Sequence, residues 1–175
     1  MNNQMVHLRR AYPADSALLA RWDRQPHLLD PEIMGDPDFN AEHWPDKLAL
    51  DVGWLEMFVA EVDGRPIGFL QIIDPQAEES HYWGDCGPGL RAIDIWIGEP
   101  DSIGKGFGRQ MMRQAIDRCF ANTDVTAILI DPMATNTAAH RFYEAMGFTR
   151  VGPRRFGPDD CIVYRLARQD WRTGA

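Results

Sequence analysis

Cysteine is scarce in this chain of 175 residues: Cys86, Cys119 and Cys161 are odd in number and far apart. That argues against a disulfide framework and offers no Cys-x-x-Cys metal knuckle, so no metal is expected, and none of the three has local support as a nucleophile. Long apolar runs are missing too. Nothing approaches the roughly 18 residues needed to span a bilayer, and the N-terminal MNNQMVHLRR lacks the apolar core of a secretory signal. The expected location is cytoplasmic, with no membrane partner. Basic charge is short as well, with 18 Lys/Arg against 26 Asp/Glu for a net charge of −8. No basic patch dominates, which disfavours a nucleic-acid partner. Repeats, low-complexity tracts and Pro/Gly/Ser linkers are also lacking, and the length fits one domain over residues 1–175.

What is present is a 45% hydrophobic composition, enough for a core, and an uneven charge distribution. Up to Ser102 the chain holds 19 acidic and 7 basic residues, or −12; from Ile103 it holds 7 and 11, or +4. An acidic half suits a cationic ligand and a mildly basic half an anionic one.

Val6 to Ala11 reads as a first strand, followed by a helix capped at Asp15 or Ser16 whose Leu18, Leu19 and Trp22 share a buried face. Gln25 to Pro45, with four prolines among acidic residues, is expected to be a loop-rich insertion with short helical pieces. Trp54 to Val62 and Ile67 to Ile73 flank Asp63-Gly64-Arg65-Pro66, a hairpin signal. After a loop from Asp74 to Gly89, Arg91 to Gly98 predicts an apolar strand, Glu99 to Gly108 a glycine-bearing loop, and Gly108 to Ala121 a helix burying Met111, Met112, Ala115, Ile116 and Cys119. Thr126 to Ile130 is a short buried strand suited to a parallel neighbour. Thr137 to Met146 is a helix ended by Gly147. Phe148 to Phe156 and Cys161 to Ala167 flank Gly157-Pro158-Asp159-Asp160 as a second hairpin. This order indicates an α/β domain with a mixed sheet.

Ile103-Gly104-Lys105-Gly106-Phe107-Gly108 lies between a buried strand and an amphipathic helix. Free backbone N–H groups and the helix N-terminus there suit a pyrophosphate. It is not a Walker A loop, because Gly106 and not Ser/Thr follows Lys105. Nor is it a dinucleotide GxGxxG, because Arg109 stands at the last glycine position. A purely structural glycine turn is the alternative.

About 30 residues later, Asn136-Thr-Ala-Ala139-His-Arg-Phe-Tyr143-Glu-Ala-Met-Gly147-Phe148 has the form N-x-x-A-x-x-x-Y-x-x-x-G-F. Together with the glycine loop it resembles the GNAT superfamily of N-acetyltransferases. Ile103 departs from the Gln/Arg that usually opens that loop, so one side-chain contact to the cofactor is missing. The resemblance implies a mixed central β-sheet with splayed parallel strands flanked by helices, and acetyl-CoA in the gap. It further implies that backbone groups of Ile95, Trp96 and Ile97 bind the pantetheine and thioester, that Lys105, Gly106, Phe107, Gly108 and Arg109 cradle the pyrophosphate, and that Asn136 hydrogen-bonds the cofactor arm. Tyr143 is then the general acid for the leaving thiolate, and Asp94, which interrupts the apolar run Ala92 to Ile97, orients or deprotonates the amine directly or through water. The alternatives are a core role for Tyr143 and a solvent-facing Asp94 on an alternating strand.

A closer resemblance, to the aminoglycoside 6′-N-acetyltransferases of that superfamily, rests on Trp22-x-x-x-Pro26-His27, Gly87 to Asp94, Gly104 to Gly108, Asp131-Pro132-x-x-x-Asn136 and Pro158-Asp159. It implies that Asp94, Asp131 and Asp159 hold ammonium groups of a cationic amine and that Trp83 walls the acceptor site. Taken alone, each carboxylate reads as a solvated surface charge or a turn residue. The expectation is an acetyl-CoA-dependent N-acetyltransferase, monomer or homodimer, acting on a cationic small-molecule amine, most simply an aminoglycoside. Another small amine, such as a siderophore precursor or polyamine, is the enzymatic alternative; a CoA-binding domain without catalysis is the alternative of another class.

Overall fold

The structure, a computed structural model, describes residues 4–171. Seven strands form one sheet: β1 (Val6–Arg10), β2 (Leu55–Val62), β3 (Arg65–Ile73), β4 (Leu90–Ile97), β5 (Ala127–Ile130), β6 (Thr149–Phe156) and β7 (Asp159–Ala167), in the order β1-β2-β3-β4-β5-β7-β6. The β4–β5 pair is parallel and the others are antiparallel. Five helices accompany them among the described residues: α1 (Ser16–Trp22), α2 (Pro31–Met34), α3 (Trp44–Leu48), α4 (Phe107–Ala121) and α5 (Thr137–Ala145).

Local chemistry explains most boundaries. Asp63 and Gly64 both take positive φ, 52° and 78°, as the tight β2–β3 turn requires. Gly147, at φ 93°, follows the last turn of α5 as a left-handed cap. In the second hairpin the expected four-residue turn is shorter: Asp159 and Asp160 are already strand residues, paired with Phe156 and Arg155. A Pro-Asp-Asp sequence reads as a turn, but cross-strand pairing on this sheet overrides it.

Alternation along the central strands divides the core between the two faces of the sheet. On one face Ile93, Ile128 and Tyr164 of the strands cluster with Met111, Met112 and Ile116 of α4 and Tyr143 of α5. On the other Val59 and Phe69 cluster with Leu19 and Trp22 of α1 and Trp44 of α3. The acidic insertion is therefore more than loop. Its Trp44 is buried, with its ring 5.2 Å from Phe69 and 6.2 Å from Trp96.

The parallel seam is short. β4 meets β5 only through Leu90, Arg91 and Ala92, opposite Ala127, Ile128 and Leu129, after which β4 continues to Ile97 while β5 stops at Ile130. Pro132, lacking an N–H, follows closely behind β5. At the far end of β4 the N–H groups of Gly98 and Glu99 both donate to the Ile67 carbonyl, a bulge that bends the strand. Gly98 permits this bend because a Cβ there would fall inside the Trp22 indole. By strand alternation from the Gly98 bond, Trp96 and Asp94 turn their backbone groups to β3, whereas Ile95 and Ile97 turn theirs to the side that β5 has left open.

Candidate active site

Asp94 interrupts the apolar run of β4 and stands opposite Gln71 of β3. The Gln71 side-chain amide donates to Asp94 Oδ2 at 2.6 Å. Trp96, two residues along the same face, packs its ring 4.8 Å from Phe69. The Gln71 Oε1 and Trp96 Nε1 atoms on this face are buried without a hydrogen-bond partner among the described residues.

Asp131 follows the end of β5 and accepts a hydrogen bond from the Tyr82 hydroxyl at 2.6 Å. Burial, and then the charge of Asp94, push the Asp131 carboxyl up to about 8, against the opposing pull of the Tyr82 hydrogen bond and of Arg154. Tyr143 of α5 is 9% exposed, with its ring 5.2 Å from Phe142 and 5.8 Å from Phe148. Burial first, then Asp94 and Asp131, raise its phenol above the usual tyrosine value, so it keeps its proton. No side chain among the described residues hydrogen-bonds its hydroxyl. Two carboxylates and a phenol thus share one electrostatic neighbourhood at the opened seam.

The raised Asp131 carboxyl has a measurable consequence. A group whose folded value lies above its unfolded one contributes stability that is complete below the unfolded value, and that stability is lost as pH rises through the folded one. Asp131→Asn should therefore match the parent near about pH 4 and exceed it by several degrees in thermal midpoint above about pH 8. Thermal unfolding across that range, at constant salt, checks this; a stability difference independent of pH would contradict it.

On the other side of the seam, Gly104 and Gly106 adopt left-handed φ of 76° and 82°, with Gly106 capping α4. Their conformation exposes the turn, and the first N–H groups of α4 lack helical acceptors. Phe107 buries its side chain in the core, so it offers only its backbone. Lys105 and Arg109 are exposed beside the turn, and Ile103 is half exposed. A Cβ on Gly108 would lie 4.0 Å from the Phe142 ring, which brings the start of α4 against the second half of Tyr143's helix. The open backbone edge consists of Ile95 and Ile97, with Trp96 facing β3. One group of that edge is already engaged: His27 Nε2 donates to the Ile97 carbonyl at 2.8 Å. Asn136 caps α5, its Oδ1 accepting from the Ala139 N–H at 3.0 Å, while its Nδ2 reaches the Ile33 carbonyl at 3.4 Å. These open N–H and C=O groups, followed by a left-handed glycine turn at a helix start, fit an amide-containing arm that ends in phosphates.

Two expected acceptor residues are placed differently from the central cluster. Trp83 is 6% exposed, wedged against Phe156 with Arg154 above it; its neighbour Tyr82 is the aromatic that reaches the carboxylates. Asp159 is equally buried and accepts from the Asp36 N–H and the Asn40 side-chain amide, each at 2.8 Å, so it anchors the loop between α2 and α3. Gln71, Tyr82 and His27 received no role in the sequence reading. The signal for Gln71 was present: it interrupts Ile67 to Ile73 as Asp94 interrupts β4.

The acetyltransferase (GNAT) domain model matches residues 11–156. The chain is 29% identical over 174 residues to aminoglycoside N(6′)-acetyltransferase type 1 of Klebsiella pneumoniae, covering 94% of this chain and 84% of that protein. It is 27% identical over 149 residues to a lysine N-acyltransferase of Mycobacterium tuberculosis, covering 83% and 69%. Its structure is similar to that of AAC(6′)-Ib in complex with ribostamycin and coenzyme A, with a TM-score of 0.83, 28% identity and 98% of each chain covered. With the splayed β4–β5 seam, the glycine turn and the tyrosine-bearing helix in one place, this chain belongs to the GNAT family of acetyltransferases.

Proposed function

We propose that the protein transfers the acetyl group of acetyl-CoA directly to a primary amine of a cationic small molecule, the 6′-amino group of an aminoglycoside. The observation that carries this reading is the convergence of Asp94, Asp131 and Tyr143 beside the open edge of β4. Several carboxylates around one cleft concentrate a polycation and discriminate against neutral amines. Similarity to an aminoglycoside N(6′)-acetyltransferase over 94% of the chain supports that acceptor.

On this reading Ile95 and Ile97 hold the cofactor arm by their free backbone groups, and Lys105 to Arg109 hold its phosphates. Asn136, whose Oδ1 caps α5, offers its side-chain amide to the arm. Asp94 orients the acceptor ammonium and takes its proton, directly or through water. The freed amine attacks the thioester carbonyl; the C–N bond forms as the C–S bond breaks, and Tyr143 gives its proton to the departing thiolate. Asp131 and Tyr82 receive a second cationic group, and Asp159, with Trp83 behind Tyr82, holds the acceptor wall. The enzyme acts in the cytoplasm.

Thiol release from acetyl-CoA, followed with kanamycin, ribostamycin, lysine, an N-hydroxylated diamine and spermidine, tests the assignment. Turnover of the aminoglycosides is expected. The similarity to a lysine N-acyltransferase favours a second reading, another small amine as acceptor; turnover of lysine or the hydroxylated diamine alone would replace the first with it. Coenzyme A binding without any turnover would leave a binding domain.

A further inference from the structure

Gln71 is the one side chain that the described residues place in hydrogen-bonding contact with Asp94. It is 6% exposed and sits in the middle of β3, between the apolar residues Leu70 and Ile72, where a polar side chain is costly unless satisfied. It is satisfied only in part. Its Nε2 donates to Asp94 Oδ2 at 2.6 Å, while its Oε1 is buried with no partner.

That orientation is informative. A neutral carboxyl could donate its own proton to the amide carbonyl, and the turned amide would then leave no buried acceptor orphaned. The observed orientation instead aims an N–H at the carboxylate and accepts the orphaned carbonyl, as suits an ionised Asp94. It also occupies one oxygen only: Oδ1 of Asp94 has no partner among the described residues and is not among the buried unpartnered atoms. The surroundings do not share this task. Asp131 beyond β5, Tyr143 of α5 and Tyr82 of the loop before β4 all interact electrostatically with Asp94, and Arg154 of β6 reaches the cluster through Asp131. Asp131 opposes the Asp94 charge, and the two tyrosines carry their protons.

We propose that Gln71 is a positioning residue for acetyl transfer: its side-chain amide holds the Asp94 carboxylate by Oδ2 and leaves Oδ1 for the acceptor amine. This rests on the reading of Asp94 as the group that orients and deprotonates that amine. Losing the bond frees the Asp94 side chain to turn away from the acceptor amine, so the alignment of the reacting groups is what suffers.

The test uses Gln71→Met, which keeps the volume and removes the donor, and Gln71→Glu, which sets a second carboxyl against Asp94. With kanamycin as acceptor, Gln71→Met should lower kcat about tenfold with KM for acetyl-CoA unchanged. Gln71→Glu should lower kcat further, again without a change in KM for acetyl-CoA. A wild-type kcat in Gln71→Met, alongside loss of acceptor turnover in Asp94→Asn, overturns the role of Gln71 alone; wild-type turnover in Asp94→Asn overturns the role of Asp94. Because these readouts need kanamycin to be an acceptor, a second one does not. In NMR spectra of the full chain, the Gln71 side-chain amide protons should lie downfield, and Asp94→Asn should move them back upfield. Gln71 amide protons at ordinary shifts in the parent, or unmoved by Asp94→Asn, overturn the proposal whatever the acceptor, even if either Gln71 variant fails to fold.

Discussion

Tyr143→Phe is expected to lower kcat by about two orders of magnitude while leaving acetyl-CoA affinity within about twofold. The substitution removes one oxygen from a ring held by Phe142, Phe148 and Tyr164. The ring contacts survive, and no protein hydrogen bond is lost, because the hydroxyl makes none among the described residues. A stability change should accordingly be small. What disappears is a proton poised at the end of the seam, on a phenol that burial and the two carboxylates keep protonated. Steady-state acetylation with isothermal titration of coenzyme A separates the effects. Equal kcat in the variant would remove Tyr143 from the mechanism, and a matching loss of coenzyme A affinity would make it a binding residue.

Asp94→Asn should reduce kcat/KM for a cationic acceptor by about 10²-fold or more, again with coenzyme A binding intact. The side chain lies on the face of β4 shared with Trp96, whereas the groups that fit the cofactor arm are backbone atoms of Ile95 and Ile97 on the open edge. Replacing the carboxylate also deprives Gln71 of its charged acceptor, so a modest loss of stability accompanies the loss of activity. Measuring coenzyme A affinity together with acceptor kinetics decides the matter. If cofactor binding falls with acceptor turnover unchanged, Asp94 supports the strand and not the substrate.

The sequence carried the fold where local and tertiary signals agreed. The Asp63-Gly64 turn, the apolar face of α4 and the Gly147 cap are local patterns with one physical reading, and each lies where its residues predict. Legibility failed where the outcome depends on which strand lies opposite. Pro158-Asp159 reads as a turn, yet Asp159 pairs with Phe156, and its carboxylate is claimed by a loop more than a hundred residues away. Gln71 stands out as a polar break in β3 as clearly as Asp94 does in β4. Their contact depends on a register that neither strand encodes alone. Trp83 and Tyr82 are adjacent, and the path of an irregular loop decides which of them meets the carboxylates. The loop-rich insertion carries the short helical pieces expected of it, α2 and α3, but the burial of Trp44 against Phe69 depends on a tertiary contact that a five-residue helix does not announce.

The seam between β4 and β5 bears on how the molecule unfolds. Three residue pairs are the whole of the ladder joining a four-strand half, β1 to β4, to a three-strand half, β5 to β7. Beyond them cohesion comes from side chains: those of α4 and α5 packed across both halves, the Trp83–Phe156 cluster, and the hydrogen bonds of Tyr82 to Asp131 and of Asp159 to the loop between α2 and α3. A ligand whose amides supply the missing rungs is therefore a splint as well as a reactant. By mass action, such a ligand bound to the native state alone adds roughly 2.7 kcal/mol to the stability of the joined half-sheets at about a hundredfold excess over its dissociation constant.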